Sequence, residues 1–131
     1  MPDNGLITLA SHHSAKDTLD RLEADVKRKG MTVFARIDHA EGARDVGLAL
    51  RPTELLIFGN AKGGTPVMQA QQTIGIDLPL KMLAWEDAAG KVWLSYNEPE
   101  WIAARHGVAA GAPVKAMAAA LAATAASAAG D

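Results

Sequence analysis

The pattern of hydrophobic and polar positions predicts five β-strands. Residues 6–13 and 31–38 have the two-residue period of a strand, residues 53–58 contain a run that is apolar on both faces, and residues 78–86 and 91–97 flank a hairpin loop. Helical periodicity or capping residues follow Ser14, Thr65, Glu98 and Pro113, which predicts four helices. This order of elements predicts a two-layer α+β sandwich with a mainly antiparallel sheet, helices on one face and an Ala-rich C-terminal helix.

The last two predicted strands form a hairpin around Asp87-Ala88-Ala89-Gly90, a composition typical of a loop that closes through a left-handed glycine. Placing Glu86 opposite Lys91 sets the register of the two strands. In that register Lys81 faces Tyr96 on one side of the hairpin.

A glycine-rich loop, Gly59-Asn60-Ala61-Lys62-Gly63-Gly64-Thr65-Pro66, follows the apolar strand 53–58. Thr65 is predicted as the N-cap of the next helix and Pro66 as its first residue, so unpaired N–H groups would attract a phosphate or carboxylate. Gly59 and Gly64 have P-loop spacing, but Thr65-Pro66 replaces the Lys-Ser/Thr that nucleotide hydrolysis requires. The predicted anion-binding residues are Asn60, Lys62, Gly63, Gly64 and Thr65. A tight turn without a ligand is the structural alternative.

Four polar residues on the strands are candidates for acid–base catalysis: Asp38, Lys81, Glu86 and Tyr96. Lys81 lies between apolar residues, where desolvation would favour a base or nucleophile, whereas the alternative is that it extends along Tyr96 to water. For Asp38, the alternative to catalysis is an ion pair with Arg36. The histidines lack the spacing that brings two imidazoles onto one ion, so neither a metal nor a cofactor is predicted.

Composition limits both the core and the class of partner. The chain has 131 residues, a mass of 13.7 kDa, a net charge of −2 and no cysteine, which excludes disulfides and thiolate chemistry. One domain, 1–108, is expected with an Ala-rich helical extension, 109–131, and the core is expected before Gly111 because alanine buries little area. The scattered charges argue against nucleic-acid binding. No stretch is expected to reach the length of a membrane span and no signal peptide is recognised, so the predicted location is cytoplasmic, without a membrane partner.

Short motifs occur in a fixed order between about Thr18 and Gly107. They are Lys29-Gly30, Val33-Phe34-Ala35-Arg36-Ile37-Asp38-His39, Leu50-Arg51-Pro52-Thr53-Glu54-Leu55, Phe58-Gly59-Asn60, Gly64-Thr65-Pro66, Ile76-Asp77-Leu78-Pro79-Leu80-Lys81, Trp85-Glu86-Asp87, Trp93-Leu94, Tyr96 and Arg105-His106. This series resembles the bacterial family named domain of unknown function DUF302. The resemblance implies a small two-layer α+β fold, similar to the TATA-binding-protein-like class, and a homodimer, with no established activity. Ala61 departs from the proline expected after Gly-Asn, and the alanine-rich tail lies outside the resemblance.

Three functions remain open at this point. The first is a homodimer that binds a small anionic metabolite at the loop 59–65, the second is an enzyme with a polar pocket, and the third is a structural or regulatory dimer without a ligand. Convergence of Asn60, Lys62, Lys81 and Tyr96 on one cavity would favour a site. The apolar residues on both faces of strand 31–38 also favour a dimer.

Overall fold

The computed structural model describes residues 4–131, and in this range it contains one five-stranded antiparallel sheet and five α-helices. The strands are β1 (Leu6–Ala10), β2 (Thr32–Asp38), β3 (Thr53–Gly59), β4 (Leu80–Glu86) and β5 (Val92–Asn97), arranged in the order β1-β5-β4-β3-β2. The helices are α1 (Ala15–Arg28), α2 (His39–Asp45), α3 (Ala61–Ala70), α4 (Pro99–Arg105) and α5 (Ala112–Ala129), and a 3-10 helix, Gln72–Ile76, follows α3. The predicted α+β class and the interior place of β3 are confirmed.

Helix α1 has the ends that its sequence predicts. The Ser14 hydroxyl accepts a 3.0 Å hydrogen bond from the Asp17 amide, and Gly30 follows the helix with a φ of 80°. Strand β1 is shorter than predicted and ends at Ala10, because the chain turns toward the helix cap. In that turn the His13 amide donates to the Ser11 hydroxyl.

The main core lies between the inner face of the sheet and the helices α1 and α5. Its fully buried side chains from the sheet are Leu56, Phe58, Met82 and Leu94, and those from α1 are Leu19, Leu22 and Val26. A smaller cluster joins α3, the 3-10 helix, α4 and the start of α5 through Val67, Ile74, Ile102, Ala103 and Val114. The two clusters together hold α1, α3, α4 and α5 against the rest of the chain.

Helix α5 is part of the main core, so the expectation that the core ends before Gly111 is wrong. Leu121, Ala125, Ala128 and Ala129 are buried in the same cluster as the sheet residues. Short alanine side chains let a helix approach its neighbour closely, so each one buries little area but α5 as a whole packs tightly on α1. The expectation that no stretch reaches the length of a membrane span is also wrong. Helix α5 has 18 residues with a mean hydropathy of 1.3, and it therefore has the length and composition of a membrane span.

The hairpin register differs by one residue from the prediction. Glu86 pairs with Val92 and Met82 pairs with Tyr96, so Lys81 and Tyr96 point to opposite faces of the sheet. The cause is the loop, in which the Asp87 amide donates to the Lys91 carbonyl and Gly90 adopts a φ of 83°. Lys91 therefore belongs to the loop rather than to the strand.

Candidate functional site

A groove of about 770 Å³ lies between α3 and α5. It lies at the end of the sheet where β3 leaves and β4 begins. All five residues of the predicted anion site line this groove, namely Asn60, Lys62, Gly63, Gly64 and Thr65. Further lining residues come from β2, from the segment before β4 and from one side of α5. The sequence therefore located the loop but not the groove that surrounds it.

The N-terminus of α3 lies five residues earlier than predicted, because Asn60 and not Thr65 is the N-cap. The Asn60 side chain accepts a 2.9 Å hydrogen bond from the Lys62 amide, and its carbonyl accepts bonds from the amides of Gly63 and Gly64. Pro66 consequently lies inside the helix, on its second turn. These amides are already paired, so an anion in the groove depends on side chains rather than on the backbone cradle that the sequence suggested.

Two lysines line the groove, and their surroundings differ. The Lys29 ammonium lies 3.0 Å from the carboxylate of Asp25, which is buried, and donates to the Thr124 hydroxyl at 3.0 Å. The ion pairs found among residues 4–131 do not include Lys62, which is exposed. No aspartate or glutamate is among the described lining residues. Lys62 is therefore the uncompensated positive charge of the groove.

The four candidate catalytic residues are dispersed. Asp38 accepts a 2.9 Å hydrogen bond from the Glu41 amide and caps α2. Tyr96 lies on the buried inner face of β5, three strands from Asp38 on β2, which is roughly 14 Å at the usual strand spacing. Burial raises the pKa of the Tyr96 hydroxyl. Lys81 points to the outer face, and Glu86 lies at the far end of β4. The groove is lined by none of the four within the described part of the chain.

Arg36 forms a cluster of ion pairs with α1 and β3 instead of the predicted pair with Asp38. Its guanidinium lies 2.8 Å from Asp20, 3.2 Å from Glu23 and 2.7 Å from Glu54. The pKa of Asp20 is lowered by its hydrogen bonds with Lys16 and then with Arg36, against the opposing effect of burial. The cluster fixes the edge strand β2 to the helix layer and has a structural role.

A polar cluster that the sequence analysis missed joins the 3-10 helix to the end of α4. The imidazole of His106 lies 2.5 Å from the Asp77 carboxylate through Nε2 and 3.0 Å from the Thr73 hydroxyl through Nδ1. Arg105 donates to both oxygens of Asp77 at 2.9 Å. The only sequence signal was the presence of Asp77 and Arg105-His106 among the family motifs. Among the described residues, no group of three or more acidic or histidine side chains is arranged to hold a metal ion.

The outer face of the sheet carries a second surface with few charges. In register across it lie Ile37, Leu55, Leu83 and Ser95, with Ile57 and Lys81 on one side of this row and Trp85 and Trp93 on the other. The two indoles stack with their centroids 6.3 Å apart. Each indole N–H is paired, that of Trp85 with Ser95 and that of Trp93 with Asp87, both at 2.9 Å. We call this surface the outer sheet face.

Comparison with known proteins gives relatives of two kinds. The chain is 52% identical over 117 residues to proteins named fluoride-specific ion channel FluC 1 from Brucella suis and Brucella abortus. This match covers 88% of the chain but only 46% and 43% of those proteins, so the chain spans less than half of their length. A crystal structure of an uncharacterized conserved protein DUF302 from Bacillus stearothermophilus has the same fold, with a TM-score of 0.76, 20% identity and 95% coverage of both chains.

The family model named domain of unknown function DUF302 matches residues 7–127, which includes most of α5. The sequence motifs left the alanine-rich tail outside the resemblance, but the family match includes most of this tail. The match covers almost the whole sheet, all five helices but for the last two residues of α5, and every residue of the groove lining, and on this basis the chain belongs to the DUF302 family.

Proposed function

We propose that this chain is a binding domain that takes a small anionic molecule in the groove between α3 and α5. The observation that carries the proposal is the charge of the groove: among residues 4–131 the Lys62 ammonium has no ion pair, and no carboxylate is in the described lining. Its volume of about 770 Å³ also lies within the usual range of ligand sites, about 300–1,000 Å³. The dispersal of Asp38, Lys81, Glu86 and Tyr96 gives no comparable support to an enzyme.

In this proposal Lys62 supplies the positive charge, and two neutral groups supply direction. The Asn60 oxygen caps the helix, so its amide nitrogen keeps two donors for a ligand. The Thr65 hydroxyl lies one turn further along the same helix and adds a donor or an acceptor.

We also propose that the outer sheet face joins two copies of the chain. Leu83 and its neighbours Leu55 and Ile57 form an apolar patch that α1 and α5 do not cover, since both pack on the opposite face. Domains rarely leave an extended apolar surface without a partner, and Ile37, in the same row as Leu55 and Leu83, is 40% exposed. A two-fold contact would place the same patch of each copy against the other.

A thermal-shift series tests the ligand proposal. Small carboxylates and phosphate esters are added to the wild type, to Lys62→Ala and to Lys115→Ala, a control because Lys115 is exposed on α5 outside the groove. A ligand that prefers the folded state raises the Tm. We expect a rise in the wild type and in Lys115→Ala and a much smaller one in Lys62→Ala, with added salt reducing the difference. Equal shifts in all three proteins would place the anion elsewhere.

A second proposed role comes from the names of the Brucella relatives. Because a DUF302 sequence 52% identical to this chain forms less than half of proteins named as fluoride channels, we propose that this chain acts together with a fluoride-transport module. The test is the fluoride tolerance of the organism that carries it. Deletion of the gene is expected to lower tolerance and the wild-type gene to restore it. Unchanged tolerance after deletion would exclude this role while leaving ligand binding untouched.

A further inference from the structure

The walls of the groove differ from those of a site for a purely polar anion. Apart from Lys29 and the residues at the start of α3, the lining is apolar, and its largest side chains are Met31, Phe34, Met68, Leu78 and Met117. Such a surface offers no hydrogen-bond partners to the polar groups of a phosphorylated sugar or a small dicarboxylate. Because Lys29 is paired with Asp25 and Thr124, the charge that remains for a ligand lies at the start of α3, in a mostly hydrophobic groove.

Phe34 is directed toward this groove by an irregularity in the sheet. The pairing of β2 with β3 shifts between Val33 and Ala35, so Phe34 is the extra residue of a β-bulge. Bulges commonly redirect one side chain out of the regular alternation. Here the ring is 58% exposed and forms part of the groove lining. A large aromatic ring that remains open to water in a concave surface gains most by contact with an apolar ligand.

Two glycines of the lining lie beside its apolar side chains. A Cβ atom added to Gly59 would lie 3.7 Å from Phe34 Cε2 and 3.5 Å from Pro79 Cβ. One added to Gly64 would lie 3.8 Å from Met68 Cε. These are ordinary van der Waals distances, so apolar side chains surround the glycine positions, and the flexible methionines among the lining can adapt to a chain of variable shape.

We infer that the ligand is an anionic amphiphile, with a single carboxylate bound at Lys62 and an unbranched hydrocarbon chain lying along Phe34, Met68 and Met117. This inference rests on the proposed function and narrows it to a medium-chain fatty acid or a molecule of the same chemistry. The match is one of charge and polarity together. Among the described lining residues, the uncompensated cation is Lys62 at the start of α3, and most of the remaining lining offers an apolar surface.

Calorimetric titration with acetate, octanoate, decanoate and decanol tests the inference. Burial of hydrocarbon predicts that affinity rises about fourfold for each added methylene and then levels off where the groove ends. Decanol lacks the charge, so Lys62→Met should weaken decanoate by about two- to fivefold and leave decanol unchanged. If acetate binds as tightly as decanoate and depends on Lys62, the anion site stands and the amphiphile inference fails. If none binds, both fail.

Two matched variants locate the hydrocarbon chain. Ala120 lines the groove and Ala119 does not, and both are exposed on α5, so a phenylalanine at either position should be tolerated by the fold. Ala120→Phe should weaken decanoate and decanol by about tenfold or more by filling the groove, and Ala119→Phe should not. Equal affinities in the two variants would place the chain elsewhere, on the outer sheet face for example.

Two further measurements separate other occupants of the groove. Sedimentation with phosphatidylglycerol vesicles distinguishes a free amphiphile from a membrane surface. If the wild type binds vesicles at all, we expect Ala120→Phe to bind them equally well. If Ala120→Phe abolishes vesicle binding and decanoate does not bind the wild type, the groove binds a lipid surface and the inference is overturned. A change of oligomeric state in Ala120→Phe but not in Ala119→Phe would instead identify a second copy of the chain as the occupant.

Discussion

Lys29, the residue that ends α1, donates a 3.0 Å hydrogen bond to the Thr124 hydroxyl, which is fully buried in α5. At the other end of the contact Arg21 donates to the carbonyl oxygens of Ser127, Ala128 and Gly130. These bonds satisfy carbonyl groups at the C-terminus of α5 that have no partner within the helix. The alanine helix is thereby joined to α1 along its length, and it also forms one wall of the groove.

Removal of the chain after Gly111 is expected to abolish cooperative unfolding, since it exposes the core residues that α5 covers. This follows from the burial of α5 in the main core, whereas the sequence led us to expect a core that ends before Gly111. The milder variant Leu121→Ala should lower the free energy of unfolding by about 2–4 kcal/mol, because Leu121 is 2% exposed. Urea denaturation measures both, with Ala119→Ser as a surface control expected to change the value by less than about 0.5 kcal/mol. A cooperative transition in the truncated chain would show that α5 is dispensable.

The ion pairs of Arg36 predict how stability depends on pH. The pKa of Asp20 is lowered from 3.8 mainly by Lys16 and also by Arg36, and the pKa of Glu23 is lowered from 4.5 mainly by Lys27 and also by Arg36. Carboxylates with lowered pKa values stabilise the fold fully above their unfolded values. That contribution is lost as the pH falls through the lower folded values.

The free energy of unfolding of the wild type should therefore fall between pH 6 and pH 3. In Arg36→Met the free energy of unfolding should fall less between pH 6 and pH 3, because the variant has already lost part of the interaction that protonation removes. Lys115→Met serves as the control and should keep the wild-type difference. If the free energy of unfolding of Arg36→Met fell by as much as that of the wild type, the ion pairs of Arg36 would contribute nothing to the acid sensitivity.

The proposed dimer predicts a clear effect of one charge on the outer sheet face. Leu83 lies at the centre of this face, between Leu55 and Ser95. Leu83→Glu should convert a dimer into a monomer of 13.7 kDa, because a carboxylate would be buried without a partner. Sedimentation equilibrium measures the mass, with Ala119→Glu as a control that stays dimeric. A wild type that sediments at 13.7 kDa at micromolar concentration would contradict the proposal.

The sequence predicted most of the fold because its local signals agree with the tertiary structure. Ser14 and Gly30 bound α1, and the doubly apolar pattern of β3 correctly places it inside the sheet. The start of α3 was mispredicted because Asn60 and Thr65 are both good N-caps. Helix packing selected the earlier one, although two glycines then lie within the helix.

The groove could be predicted only in part. Asn60 and Lys62 stand in a conspicuous loop, whereas the hydrophobic wall combines residues from three distant segments, Met31 with Phe34, Met68, and Met117. No local pattern marks these as neighbours, and the bulge that turns Phe34 outward leaves no trace in the alternation of apolar residues. The Lys81 pairing failed for a related reason, since one residue of loop length reverses which face a side chain occupies.

Amide chemical shifts, measured on labelled protein during titration with decanoate, test most directly whether the groove between α3 and α5 is the ligand site. Shifts are expected to concentrate in α3 between Ala61 and Met68 and at Met117 and Ala120, on the two sides of the groove. The indole N–H signals of Trp85 and Trp93, on the outer sheet face, should stay in place. Shifts centred on those two indoles, with none in α3, would show that decanoate does not bind in the groove.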